Sequence, residues 1–475
     1  MADPGERRAE LSDALDVAAS EARAFLAALE SDTVQPQGSE ATVSAVGGAL
    51  PEDGEGAPAA VTELGRLGRE AATRSSGPRF FHFVIGGTTP AAVAADWLTS
   101  ALDQNAGAWV ASPLASRLES VCIDWLRDLF ELPPEFGGVL VTGGTMANFT
   151  CLAVARDWCG ERLGQRIAGA GLAGLPQIPV FSSGYIHASA TKSLAMLGIG
   201  AANVRKLTRD AAGRLDIDAL ERGLAELGGE PAIVVANAGE VNAGDFDPID
   251  QMADLAQAHG AWLHVDGAFG LFVRLSPRSA HLAAGAERAQ SVSSDGHKWL
   301  NVPHDCGFAF LREPERLSAT FAEEAAYLPS PDDPRPNWGF MGPEGSRRAR
   351  AFAIWATLRA YGRSGYRQMV ERHLELTQHL AARVDAEPDL ERLAEAPLNI
   401  VCFRWRPQGA AEGDLDELNR GLGEALLRDG RVFAGTTLFE GKVAFRPAIV
   451  NWRTRAEDVD ALVDVLLELG RDVRS

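Results

Sequence analysis

Between about residues 90 and 310 the chain alternates helical patterns with short apolar runs at 139–142, 179–182, 203–206, 232–236, 261–266 and 290–294. Short apolar strands separated by helices hide both of their faces only in a mostly parallel sheet with helices on either side. Gly-Phe-Ala-Phe-Leu-Arg at 307–312 reads as a seventh strand, running the other way. Open sheets of this kind bind their ligands at the carboxyl ends of the strands. The polar residues just beyond each run are therefore where chemistry is expected.

Lys298 follows the last parallel run, in Ser-Val-Ser-Ser-Asp-Gly-His-Lys-Trp-Leu (291–300), and is one of four lysines among 45 basic residues. An amine can lose its proton and form an imine with an aldehyde, which a guanidinium cannot do. Pyridoxal 5′-phosphate (PLP) is the biological aldehyde this suggests, and it requires a carboxylate for its pyridine nitrogen, a flat group against its ring and a phosphate cradle. Asp266 ends the run Ala-Trp-Leu-His-Val-Asp (261–266), although Asp-Gly is equally a turn pair when taken alone. His187 follows Pro-Val-Phe-Ser and precedes a helical pattern, so it too falls at a strand's carboxyl end. Thr-Gly-Gly-Thr at 142–145 joins a strand to a helix, where free backbone N–H groups and a positive dipole end suit a dianion.

The formal charge of −20 argues against nucleic acid or an anionic membrane as partner. Five scattered cysteines, at 122, 151, 159, 306 and 402, lack metal-ligand spacing and point to reduced thiols in a cytoplasm. The start, Met-Ala-Asp-Pro-Gly-Glu-Arg-Arg, lacks the features of a signal peptide, and no apolar run has the length of a membrane span. Residues 6–30 form a helical pattern, and 31–60, rich in Pro, Gly, Ser and Glu, read as a connector. Pro-rich residues 313–345 read as a long loop, and an arginine-rich helix follows at 346–361. Strands near 399–405, 431–434 and 443–449 with helices near 414–428 and 456–470 make a smaller α+β unit. The expected division is an N-terminal helical segment at 1–85, a large domain at 86–362 and a small domain at 363–475.

The order of these motifs resembles that of the group II PLP-dependent amino acid decarboxylases, the family of the aromatic amino acid, glutamate and cysteine sulfinate enzymes. The residues that carry it are Thr-Gly-Gly-Thr-Met-Ala-Asn, His187, His-Val-Asp-Gly-Ala-Phe and Asp-Gly-His-Lys-Trp-Leu with Asp-Cys-Gly-Phe-Ala after it. Trp-Val-Ala-Ser-Pro-Leu at 109–114, Ser-Arg-Arg-Ala-Arg-Ala-Phe at 346–352 and Phe-Arg-Pro-Ala-Ile-Val-Asn-Trp-Arg-Thr at 445–454 extend it over nearly the whole chain. It implies the aspartate aminotransferase-like fold, fold type I, and a homodimer whose N-terminal helices wrap around the partner. It makes Lys298 the Schiff-base lysine, Asp266 the partner of the pyridine nitrogen, His187 the stacked ring and Ala268 the contact on the opposite face. Gly144 and Thr145 match the phosphate turn, and Asp295 and His297 match positions at the phosphate and the cofactor's edge. Arg446 matches an arginine that receives a substrate carboxylate in some members, and a structural ion pair would equally employ a guanidinium.

The implied reaction is α-decarboxylation of an L-amino acid to an amine and carbon dioxide. Phe83 and Trp109, with the neighbouring Phe80, Phe81 and His82, suggest an apolar or aromatic pocket, though a Phe cluster serves a core equally well. Three departures from the family stand out. Asn-Ala-Gly-Glu-Val-Asn-Ala-Gly occupies 237–244, Met146 stands where Glu is usual, and a gapless count from Arg347 puts Trp338 where a mobile loop carries a proton-donating tyrosine. Tyr327 and His304 are then the alternative donors. If none protonates Cα, decarboxylation coupled to oxidation by O₂, giving an aldehyde, is the alternative reaction, and a catalytically silent PLP-binding scaffold is the third.

Overall fold

In the computed structural model, residues 3–323, 325 and 334–474 are described. Seven strands form the main sheet: β1 (Gly137–Val141), β2 (Val180–Ser182), β3 (Val204–Lys206), β4 (Ile233–Asn237), β5 (Trp262–Asp266), β6 (Ser291–Asp295) and β7 (Gly307–Leu311). Their order is β1-β7-β6-β5-β4-β2-β3, with β7 alone antiparallel to its neighbours. Every residue of β4, β5, β6 and β7 is buried, which explains why these runs are mostly apolar or small instead of alternating, with the larger polar side chains confined to His264 and the strand ends Asn237, Asp266 and Asp295.

The registers bring the expected site residues to one edge. Asp266 lies between Asn237 of β4 and Ser293 of β6, and Gly307 pairs with both Val141 and Asp295. The turn after β1 and the loop after β6 therefore meet beside the end of β5. Arg347 fixes this arrangement from behind. Its buried guanidinium makes a two-pronged bond to Glu119, at 3.0 and 2.6 Å, while the Leu140 N–H of β1 donates to the same carboxylate. A buried pair satisfied this fully ties helix Pro113–Leu129 to the sheet.

A second sheet holds β8 (Leu390–Arg392), β9 (Phe403–Trp405), β10 (Thr436–Phe439) and β11 (Lys442–Phe445), ordered β10-β11-β9-β8 and antiparallel throughout. Helices Leu415–Asp429 and Ala456–Arg474 cover it. Here the local expectations shift. The strand expected at 431–434 lies at 436–439, whereas Phe433 makes a single bridge to Phe80. Residues 31–60 are more helical than expected, with Ser39–Ala45 and the start of Ala57–Ala71 inside them, and 313–345 contain helix Glu315–Phe321. The arginine-rich helix begins at Ala351, because 346–350 are spent on Arg347's buried pair and on a bridge from Arg348 to Asn105.

Candidate active site

Asp266 is 5 % exposed at the end of β5. Its Oδ2 accepts from Asn148 Nδ2 at 2.8 Å and its Oδ1 from the Ala268 N–H at 3.2 Å. His187 caps helix Ala188–Met196, its Nδ1 accepting from the Ser189 N–H at 3.1 Å, while the ring itself stays open. Burial of its surroundings lowers the imidazole's pKa, Asp266 opposes this, and the Lys298 and Arg446 cations lower it further. Asp266, Lys298 and Arg446, spread over 180 positions of the sequence, thus all lie within electrostatic range of one ring.

Lys298 follows β6, with its ammonium 5.4 Å from the centre of the Phe269 ring. Its carbonyl lies against Gly86, where a Cβ would approach to 1.7 Å, so only glycine lets that segment pass. At the turn after β1, a Cβ on Gly144 would meet Asp295 Oδ2 at 2.9 Å and the Cβ of Ala268 at 3.9 Å. The Gly144 N–H donates to Asp295 Oδ2 at 3.0 Å, while Thr145 stands exposed at the start of helix Gly144–Arg162. Asp295 Oδ1 and His297 Nδ1 lie 2.9 Å apart but out of line for a hydrogen bond, and both are buried without another partner. His304 stacks on His297 with ring centres 4.0 Å apart, and burial lowers its imidazole pKa, with His297 adding to the effect.

Arg446 is partly buried, and burial lowers its pKa against the attraction of Glu240. Its Nη1 donates to the Val241 carbonyl at 3.3 Å. Beside it stands an aromatic group: His82 lies 3.6 Å from Phe83 and 6.0 Å from Phe433, ring centre to ring centre. Burial, with Arg446 nearby, pushes the His82 imidazole down to about 4. Phe83 is 61 % exposed and sits in the left-handed region with φ 57°, a conformation that bulky side chains rarely adopt.

The unusual 237–244 segment is a closed turn. Glu240 accepts from Asn242 Nδ2 at 2.6 Å and from the Ala243 N–H at 2.7 Å, and burial raises its carboxyl's pKa. Trp109 lies in the loop before helix Pro113–Leu129, and among the described residues no hydrogen bond or ring contact joins it to Lys298 or His187. Trp338 is 7 % exposed, with its indole N–H donating to the Ser116 carbonyl at 3.1 Å. That packing makes the indole part of the core beside helix Pro113–Leu129. Tyr327 lies outside the described residues. Asn148 and His264, which bond next to Asp266, escape a reading by motif; the trace they leave is a polar residue inside an apolar helix and another inside an apolar strand.

A site of this composition, on this sheet, defines a PLP enzyme of fold type I. Residues 48–406 match the pyridoxal-dependent decarboxylase conserved domain, and the chain belongs to that family. It is a PLP-dependent carboxy-lyase. It is 31 % identical over 431 residues to an aromatic-L-amino-acid decarboxylase of Bacillus atrophaeus, covering 89 % of this chain and 88 % of that one. An L-2,4-diaminobutyrate decarboxylase of Rhizobium meliloti (strain 1021) is 33 % identical over 435 residues, with 90 % and 84 % covered. Among solved structures, mouse CSAD superposes with a TM-score of 0.88 at 27 % identity, covering 99 % of this chain and all of that one. Oryza sativa TDC with PLP and tryptamine gives 0.90 at 25 % identity, covering 98 % and 99 %.

Proposed function

We propose that the chain decarboxylates an L-amino acid with an apolar or aromatic side chain, releasing the amine, at the site built by Lys298, Asp266 and His187. The observation that carries the reading is the register that sets Asp266 at the end of β5 beside β6, whose following loop carries Lys298 and whose Asp295 takes the Gly144 N–H of the turn after β1. The residues fit PLP. Lys298 Nζ would hold its aldehyde carbon, Asp266 its pyridine nitrogen, and His187 and Ala268 its two faces. Thr145 and the helix start would meet the phosphate with His297 beside them, while Asp295 holds the Gly144 N–H of the turn. The bound group supplies an electron-accepting ring for the electrons of the departing carboxylate. Arg446 orients the substrate's carboxylate, because its guanidinium offers more N–H donors than its one hydrogen bond among the described residues uses. The aromatic group of His82, Phe83 and Phe433 next to Arg446 supports an apolar or aromatic substrate. His304, stacked on His297, and Trp109 complete the proposed substrate contacts. Carbon dioxide release measured across the common amino acids tests the reading: highest kcat/KM on an acidic or diamino substrate would overturn the side-chain assignment.

Amine, not aldehyde, is the expected product, since Trp338 is packed away and Tyr327 and His304 remain available as acids. Oxygen uptake recorded beside carbon dioxide release should show none, with one amine per carbon dioxide. Tyr327→Phe should slow turnover about 100-fold or more, the usual worth of a positioned general acid. Oxygen consumption by the native enzyme would instead establish the oxidative reaction.

We also propose a homodimer working in a reducing, cytoplasmic compartment, with an amino acid as its small-molecule partner. All five cysteines are free and buried, and no described helix is long and apolar enough to cross a membrane. Helix Glu10–Ala28 has no buried residue, and Trp97, Leu98 and Leu102 of helix Pro90–Leu102 are 44 %, 61 % and 50 % exposed. Large apolar side chains grouped on one helix suit a partner surface. Light scattering should give twice the chain mass, and an active monomer would exclude the dimer.

A further inference from the structure

Behind Asp266 lies a chain of hydrogen bonds whose direction is set by the groups at its two ends. The Trp262 indole can only donate, and its N–H reaches Ser291 Oγ at 2.9 Å. At the other end the Asp266 carboxylate only accepts, so Asn148 turns its Nδ2 to it and its Oδ1 to His264, which carries its proton on Nε2 and donates it there at 2.9 Å, leaving Nδ1, 3.0 Å from Ser291 Oγ, as an acceptor. Burial pushes His264 down to about 4, so at neutral pH the ring has one proton to give. Ser293 Oγ donates to the same Asn148 oxygen at 2.6 Å. With two donors on its oxygen, the amide has one orientation open to it. Its Nδ2 faces Asp266 Oδ2 at 2.8 Å and Ser189 Oγ at 3.1 Å. Ser189, having accepted there, passes its own proton to His187 Nδ1 at 2.7 Å, and His187 is left with Nε2–H on its open side. Asn148, His264 and Ser291 are fully buried, and each of their side-chain polar atoms has a partner.

We propose that Asn148 is a positioning residue that locks the Asp266 carboxylate and the His187 ring into one hydrogen-bonded unit. Neither touches the other. The amide is the one group bonded both to Asp266 and, through Ser189, to His187, and the buried relay behind it fixes which way it faces. A network satisfied at every member is rigid, whereas an amide free to flip would turn its oxygen toward a carboxylate. The proposal rests on the assignment of Asp266 and His187 to the cofactor.

A double-mutant cycle in the full-length, PLP-loaded protein tests it, with PLP affinity as a readout independent of turnover. Asn148→Ala should lower kcat about 10- to 100-fold, the worth of a hydrogen bond to a charged group, with KM changed less, and should raise the Kd for PLP. Placed on Asp266→Asn, the same substitution should change kcat by less than about threefold, because what it positions has already been lost. ¹⁵N shifts of His187 in the cofactor-free protein should report Nε2–H. Losses that multiply, a native kcat in Asn148→Ala, or a His187 protonated on Nδ1 would each overturn the proposal. Should Asn148→Ala fail to fold, Ser293→Ala, which frees the amide while changing little volume, enters the same cycle with the same expectations. An Asp266→Asn protein with native kcat would sink the cofactor assignment instead, so the two failures are distinguishable.

Discussion

Lys298→Ala is expected to abolish turnover and to remove the visible absorption of bound PLP. The three other lysines cannot substitute. Lys206 ends β3, the far edge of the main sheet, and Lys442 begins β11 of the other sheet. Lys192 lies on helix Ala188–Met196, whose cap, not whose body, presents His187 to the site. The Lys298 ammonium instead lies near the Phe269 ring, in the loop that follows β6 beside Asp266. The measurements are the absorption spectrum after exhaustive dialysis and the rate of carbon dioxide release. A variant that stays yellow and active would show that another group holds the cofactor.

The strands that build the site could be read from the sequence because they are buried on both faces: Ile-Val-Val-Ala-Asn and Trp-Leu-His-Val-Asp tolerate no alternation, and each lies within a residue of its expected bounds. The reading failed where burial is partial. Thr436 and Thr437 are half-buried and Leu438 is exposed, so β10 carries no apolar signature, while Val432 and Ala434 are buried without belonging to a strand. Composition likewise misled at 31–60, where Ser39–Ala45 and the start of Ala57–Ala71 are helical. Local motifs pointed to residues at or just beyond strand ends, Asp266 after β5, Lys298 after β6 and His187 after β2. They could not give Asn148 or His264, whose partners stand 118 and 116 positions away and become neighbours when β5 and helix Gly144–Arg162 pack. The count to Trp338 was carried across a loop whose length need not match that of its relatives, and the structure shows the indole buried and bonded to the Ser116 carbonyl.

Asp266→Asn is expected to fold and to lose most activity, by about 100- to 1000-fold, the effect of removing a group aimed at charge that develops during reaction. The fold should survive because the exchange is isosteric in a strand whose other residues supply the packing. It should not be neutral, however. Both carboxylate oxygens accept, one from Asn148 Nδ2 and one from the Ala268 N–H, and an amide has one oxygen for the two donors. Whichever way the new amide turns, one donor faces another donor, which costs about 1–3 kcal/mol. A few degrees off the melting temperature of the cofactor-free protein are therefore expected, together with weaker retention of PLP. The activity loss has a different origin: a neutral amide cannot hold a proton on the pyridine nitrogen, and the ring then accepts electrons less well. Measuring kcat and cofactor-free stability on the same preparation separates the two. Collapse of stability with specific activity intact in the soluble fraction would make Asp266 a structural residue and leave the pyridine nitrogen without a partner.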